Sequence, residues 1–399
     1  MKQTALFLAC ACVVLTFVSI AGCELLLGAA FLLTLYAWRK LDFPPIRLPL
    51  ALFVGGTLIS LAFSTHPAAG FPQVKKLYLL LVLAVVVTAV RSTKHVRTMY
   101  LWCAAAATCS AFWSLIQFWR KLHAAHQLHQ PFYTYYIGAR ITGFMSHWMT
   151  FGGQMSIALM LLIAVLMFAG PPGKWRWVAW AAIGLMSAAL VLAFTRGMWF
   201  AAVAGFLYLL ACWRPKFLFA VPVVAAVAFF AAPHAIQERI ESVYQPHGTV
   251  DSNQHRVVTW RTGVEMIKAH PLLGVGPEHV GREFEQYIPA DIPRPLPVGW
   301  YGHLHNIYLQ YAAERGIPVL CFMLWVIGKV LRDAIAGLRS ASPARKAVLH
   351  GAIATVIAVL VGGCFEFNLG DSEVLMLFLG ILACVYVRDS DGVRQPERA

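Results

Sequence analysis

Thr150-Phe-Gly-Gly-Gln-Met-Ser-Ile-Ala-Leu-Met-Leu-Leu-Ile-Ala-Val-Leu-Met-Phe-Ala169 carries no charge from end to end. As a helix rising about 1.5 Å per residue, such a run reaches across a hydrocarbon layer about 30 Å thick. Lipid offers the backbone no water to bond, so a helix, which satisfies its own N–H and C=O groups, is the structure expected. Similar runs recur to either side. Spans are expected near residues 4–22, 24–38, 48–64, 75–91, 98–118, 150–169, 177–194, 198–212, 217–232, 307–328, 347–365 and 374–387. Hydrophobic residues make 59% of the chain and charged residues 13%, where soluble domains carry about 25% charged. The alternating pattern of a membrane barrel is absent, and no internal repeat is visible. The chain reads as an all-α polytopic membrane protein of about twelve transmembrane helices.

The net charge of +14 invites a nucleic-acid reading, but its distribution argues for topology. With the first residues in the cytoplasm, most of the Lys and Arg and few of the acids fall at one set of span ends, so the excess lies on one face. That is the bias expected of a cytoplasmic face. Both termini are then cytoplasmic, and the interruption at about 233–306 is extracytoplasmic. Nine cysteines are scattered, none of them in that interruption, so neither a disulfide framework nor a CxxC zinc pattern is present. Ile20-Ala-Gly-Cys23 has the look of a lipoprotein cleavage box. The stronger reading is the end of one span followed at once by another.

The expected organisation is residues 1–232 for spans one to nine, 233–306 for an extracytoplasmic helical domain, 307–387 for spans ten to twelve, and 388–399 for a cytoplasmic tail. A shorter extracytoplasmic loop at about 119–149 holds His123, His126 and His129, which suit surface or sugar contact better than metal. Loops of these lengths are seldom idle. From His255 to Ala269, Val257, Trp260, Val264 and Ile267 recur at helical spacing, with Arg261, Glu265 and Lys268 opposite. This predicts an amphipathic helix at the membrane surface or over a cavity, begun by Asp251 or Ser252 and limited by Pro271.

The residues able to do chemistry gather on the extracytoplasmic side. His303 and His305 fall beside Asn306 just before a span, and imidazole is the group best placed to move protons near neutral pH. Two residues apart, they diverge on a helix, and no third ligand at zinc-site spacing is nearby, so no metal is expected. Arg196 sits in a tight turn between spans, on the face where arginine is disfavoured, which marks it as functional. Arg256 and Arg261 lie roughly 140° apart on a helix, so one is free for phosphate while the other can pair with Glu265. Lys75 and Lys76 head a span on the same face, as interfacial anchors or phosphate contacts.

Taken together these motifs resemble the O-antigen ligase/polymerase superfamily. Thr195-Arg196-Gly-Met-Trp199 is similar to its Ser/Thr-Arg-Gly element. Arg256…Trp260 with His270-Pro-Leu-Leu-Gly274-Val-Gly276 is similar to its loop motif. His305-Asn306-Ile-Tyr308-Leu, then Glu314-Arg-Gly316, is similar to its His-Asn element, and Arg140-Ile-Thr-Gly143-Phe to a further one. Length, span number and the single large loop between the ninth and tenth spans look most like the ligase branch.

The resemblance implies a GT-C-like fold in a Gram-negative inner membrane, with a periplasmic active site. It implies transfer of O-antigen from undecaprenyl pyrophosphate to a sugar hydroxyl of lipid A–core oligosaccharide. His305 or His303 would be the base. Arg196, Arg256, Arg261, Lys75, Lys76 and Arg140 would hold diphosphate, with Asn306, Trp260, Tyr308 and Glu314 in support. Transfer would be inverting and metal-independent, with no cofactor and no nucleic-acid partner. The alternatives are an O-antigen polymerase, a protein O-oligosaccharyltransferase or, in another class, a flippase for the same lipid-linked glycan.

Overall fold

The computed structural model describes residues 1–170, 173–245 and 253–387, and among these there is no β-strand. Asp251, Ser252 and the expected tail 388–399 lie outside the described residues. The α-helices are α1 (Lys2–Val14), α2 (Ile20–Trp38), α3 (Arg47–Ala62), α4 (Pro67–Lys75), α5 (Leu81–Ala89), α6 (Thr93–Gln127), α7 (Phe132–Gly138), α8 (Trp148–Phe168) and α9 (Arg176–Leu192). They continue as α10 (Arg196–Trp213), α11 (Val221–Phe230), α12 (His234–Glu241), α13 (Asn253–Ala269), α14 (Val280–Glu283), α15 (Ile307–Gly337), α16 (Pro343–Gly363) and α17 (Ser372–Cys384).

Among the described residues six helices are long and apolar enough to cross a bilayer: Ile20–Trp38, Pro67–Ala89, Thr93–Gln127, Trp148–Phe168, Arg196–Trp213 and Pro343–Gly363. Shorter apolar helices cover Lys2–Phe17, Arg47–Ala62, Arg176–Leu192 and Ser372–Cys384. The uncharged run that opened the sequence reading is α8, the centre of the bundle. Of its apolar window 83% is buried, against 22% for α2. It packs on α6, α9, α10 and α16, while α1, α2, α5 and α17 form a second group and α15 pairs with α3. Large apolar side chains stay exposed on the periphery, among them Leu25, Leu32, Trp177, Phe219 and Phe230. A bundle whose outer surface is this apolar is built to face lipid.

Helix starts follow local chemistry. Ser19 Oγ accepts the Gly22 N–H at 3.2 Å and opens α2, so Ile20–Cys23 is the first turn of a helix, with Cys23 fully buried. Ser342 caps α16, with Pro343 at the first position, where the missing N–H costs nothing.

Two expectations need correcting. Residues 119–127 continue α6 rather than beginning a loop, because no Pro or Gly interrupts them; His123 and His126 are exposed on the helix and His129 just beyond its end. The buried stripe of α13 is His255, Val258, Thr259, Thr262, Gly263 and Met266, not Val257, Trp260, Val264 and Ile267. Gly263 decides the rotation: a Cβ there would meet Leu304 at 2.5 Å. The helix therefore turns its small residues inward against α15 and leaves Val257 and Val264 exposed. The segment between α12 and α15 has a small core of its own, in which Val258, Met266, Val275, Val280, Phe284 and Leu304 meet.

Candidate active site

Asn306 begins α15. Its Oδ1 accepts the N–H groups of Tyr308 and Leu309 at 2.9 and 3.0 Å, and its Nδ2 donates to the Cys364 carbonyl at 3.0 Å. The first bonds cap the helix; the last fixes its start against the end of α16. Gln310 Oε1 accepts the Leu304 N–H at 2.7 Å. Between these two anchors His305 is held at φ 49°, a left-handed conformation that a residue with a Cβ adopts at a cost of order 1–3 kcal/mol.

The clasp on α15 is backbone against backbone. The Val275 and Gly276 N–H groups donate to the Ala313 and Glu314 carbonyls at 2.8 and 2.9 Å, and the Ile317 N–H donates to Pro271 at 2.8 Å. Gly274 (φ 67°) and Gly316 (φ 82°) allow that approach: a Cβ on Gly274 would lie 2.3 Å from Glu314, and one on Gly316 2.1 Å from Leu272. The His-Pro-Leu-Leu-Gly-Val-Gly and Glu-Arg-Gly motifs are thus two halves of one contact that steadies the first turns of α15.

The strained backbone turns the His305 ring onto Glu366. Nδ1 lies 3.2 and 3.1 Å from the two carboxylate oxygens, so the N–H is on Nδ1 and donates. Nε2 then carries the lone pair, and it is buried with no hydrogen-bond partner. Glu366 Oε1 also accepts the Phe367 N–H at 3.0 Å. Burial opposes the Glu366 charge, but His305 and Arg256 outweigh it and hold the carboxyl well below the usual range. His303 differs. Its Nδ1 accepts the His305 N–H at 3.1 Å, and burial pushes its imidazole down to about 4. It is a neutral acceptor that braces the turn. His255 packs on the other side, its ring 5.1 Å from that of His305, with Nε2 donating to the Trp300 carbonyl at 3.0 Å.

His303, His305 and Glu366 each offer a donor atom, and these lie within 4.8 Å of one another. The third member, which spacing along the sequence did not supply, thus comes from another helix end. Such a set can hold a divalent ion or, as hydrogen-bonded here, activate a proton acceptor.

These groups line a cavity of about 820 Å³, into which Arg140, Arg256, Lys76, Gln310, Glu314 and His147 also project. Arg256 Nε is buried without a hydrogen-bond partner. Arg140 donates to the Ile137 carbonyl and lies over the Trp148 ring at 4.7 Å. Burial, and then repulsion from Arg239 and Arg256, push its guanidinium below its ordinary value. The loop carrying it is pinned by Gln117, whose Oε1 accepts the Thr142 and Gly143 N–H groups at 3.0 Å.

The other expected site residues divide between the cavity wall and positions outside it. Arg196 is buried beside the cavity rather than in its wall, donating to Ser242 Oγ at 2.8 Å and to Asn253 Oδ1. It ties the start of α10 to α12 and α13. Arg261 is exposed and pairs with Asp291 at 2.8 Å, not with Glu265, which Lys268 occupies. Lys75 is exposed, whereas Lys76 faces the cavity and donates to the Gly370 carbonyl at 2.6 Å. Trp260 does not reach the wall, Tyr308 bonds the Leu360 carbonyl at 2.8 Å, and Glu314 is buried between Gln310 and Arg315.

Among the groups that the sequence did not single out are Glu366, His255, His147 and Arg239. Arg239 is buried and donates to the Phe194 carbonyl at 3.1 Å, next to the turn that carries Arg196. For Glu366 a signal existed: it is the lone acid in Cys364-Phe-Glu-Phe-Asn-Leu-Gly370, an apolar join between two spans on the same side as the histidines.

A family profile described as O-antigen ligase matches residues 181–324. Over that segment the chain is similar to the O-antigen ligase family. The matched segment holds Arg196, Arg256, Arg261, His303, His305 and Glu314, and ends before Glu366. No curated protein matches the chain.

Proposed function

We propose that the protein is an inverting glycosyltransferase of the ligase branch, with twelve membrane crossings, a GT-C-like arrangement and its cavity on the periplasmic face of a Gram-negative inner membrane. Its donor is O-antigen on undecaprenyl pyrophosphate, and its acceptor a sugar hydroxyl of lipid A–core. The observation that carries this reading is the His305–Glu366 pair, with a bare Nε2 directed away from the carboxylate, in one cavity with Arg256 and Arg140.

A sugar hydroxyl is a weak nucleophile until its proton leaves. His305 Nε2 takes that proton as the hydroxyl oxygen attacks the anomeric carbon. The bond from that carbon to the diphosphate breaks, and undecaprenyl pyrophosphate departs with the electron pair. Arg256 and Arg140 stabilise the charge growing on the leaving diphosphate. Glu366 holds the Nδ1 proton and offsets the positive charge that appears on the ring, the part a carboxylate plays beside a histidine base. Attack opposite the leaving group inverts the anomeric centre. With two guanidiniums to neutralise diphosphate and Glu366 committed to His305, no divalent ion is needed.

The test is the purified full chain with undecaprenyl pyrophosphate-linked O-antigen and lipid A–core, in EDTA, with products resolved on a gel. A ladder on lipid A–core is the expected result. Activity lost in EDTA and restored by Mg²⁺ or Mn²⁺ would move His303, His305 and Glu366 to a metal-holding role. Extension of the lipid-linked glycan alone would make the protein a polymerase.

A further inference from the structure

The charge of the cavity is graded along its length. Arg140 lies within electrostatic reach of Arg239, Arg256 and Arg196. Arg256 reaches Glu366, Glu366 reaches Asp371, and Asp371 reaches Glu373. The order is therefore arginines, then the His305–Glu366 pair, then acids. Lys76 stands at the acid end: its ammonium donates to the Gly370 carbonyl and offsets part of the charge of Asp371 and Glu373.

The acid end is supplied by the loop after α16 and the first turn of α17. Asp371 Oδ2 accepts the Thr150 hydroxyl at 2.7 Å, and among the described residues its Oδ1 has no hydrogen bond. Asn368 is 7% exposed and lines the same cavity; its Nδ2 donates to the Met149 carbonyl, while its Oδ1 is buried with no partner. Glu373, 4% exposed, completes the wall. Burial pushes the Asp371 carboxyl up to about 6, with Glu373 and Glu366 adding to the effect. This end thus presents hydrogen-bond acceptors in need of donors. A buried acceptor left unpaired costs about 1–3 kcal/mol, and a ring bearing adjacent hydroxyl groups supplies donors in pairs. A diphosphate supplies none near neutral pH and is repelled.

We propose that Asp371, Asn368 and Glu373 form the acceptor-sugar subsite, which takes an uncharged ring by neighbouring hydroxyls and turns the anionic donor toward the arginine end. The proposal rests on the glycosyl-transfer reading above. Two near-isosteric variants, Asp371→Asn and Glu373→Gln, test it in the purified full chain with undecaprenyl pyrophosphate-linked O-antigen and lipid A–core. Each is expected to raise KM for lipid A–core roughly tenfold or more, with KM for the donor unchanged. A rise in donor KM alone, or no change in either KM, overturns the subsite. Should the variants fail to fold, saturation-transfer NMR on the wild-type protein with free core oligosaccharide decides instead. Binding that inorganic diphosphate leaves in place supports the subsite; no binding, or displacement by diphosphate, overturns it. A wild-type protein that binds core oligosaccharide but forms no product would fail the glycosyl-transfer reading and leave the subsite standing as a sugar site.

Discussion

The segments around His305 and Arg196 look alike in sequence: each is a short polar motif set against the start of an apolar helix. In the fold they do opposite things. The His305 segment bends into a left-handed turn and leaves Nε2 without a partner in the wall of the cavity. The Arg196 segment turns its guanidinium away from the cavity and commits it to Ser242 and Asn253. One motif sets an unpartnered ring nitrogen in the cavity wall; the other joins α10 to α12 and α13 behind it. A charged residue in a span-to-span turn can thus be committed to neighbouring helices rather than to the cavity, and the distinction is experimentally accessible.

The largest effect belongs to the first motif. His305→Ala is expected to lower kcat by about 10²–10⁴-fold while the protein still reaches the membrane. His303→Ala should cost much less, because that ring braces the turn as a neutral acceptor. Equal losses in single-turnover transfer would make the two histidines one unit, and a larger loss for His303→Ala would reverse the assignment.

Glu366→Gln comes next. It keeps the shape of the side chain and removes the counter-charge, so kcat should fall by about 10²-fold or more with donor KM unchanged. A carboxyl whose folded pKa is depressed stays ionised until the pH falls through that depressed value. The ratio of wild-type to variant rates should therefore stay flat between about pH 6 and 9. A ratio that collapses toward unity at the lower pH would mean that Glu366 takes up a proton there, contrary to its surroundings of His305 and Arg256.

The legibility of the sequence follows the same division. Lipid-crossing runs were readable because a bilayer imposes length and apolarity on each segment separately. His305, Arg256, Arg140 and Lys76 were readable because their chemistry is unusual beside such runs. Glu366 was not, since its meaning comes from a partner 61 residues earlier in the chain. The face of α13 was misread for a related reason. Hydrophobic periodicity assumes that the apolar side is buried against protein, but here Gly263 and two threonines pack inward while Val257 and Val264 face out. His255 thereby reaches the site unannounced.

The smallest effects separate the arginines. Arg256→Ala should raise donor KM at least tenfold, since a charged hydrogen-bonding group is removed from the cavity wall. Arg196→Ala should instead lower thermal stability in detergent, because it strips bonds from a buried junction; Arg196→Lys should recover little, a point charge being unable to reach Ser242 and Asn253 together. Arg261→Ala should do almost nothing. Among the described residues it pairs with Asp291 alone, both side chains are largely exposed at 46% and 68%, and such pairs are screened by water and salt. Transfer within about twofold of wild type is the expected reading for that variant. A loss comparable to that of Arg256→Ala would mean that Arg261 leaves Asp291 and swings into the cavity when donor binds, and α13 would then be a moving lid rather than a fixed wall.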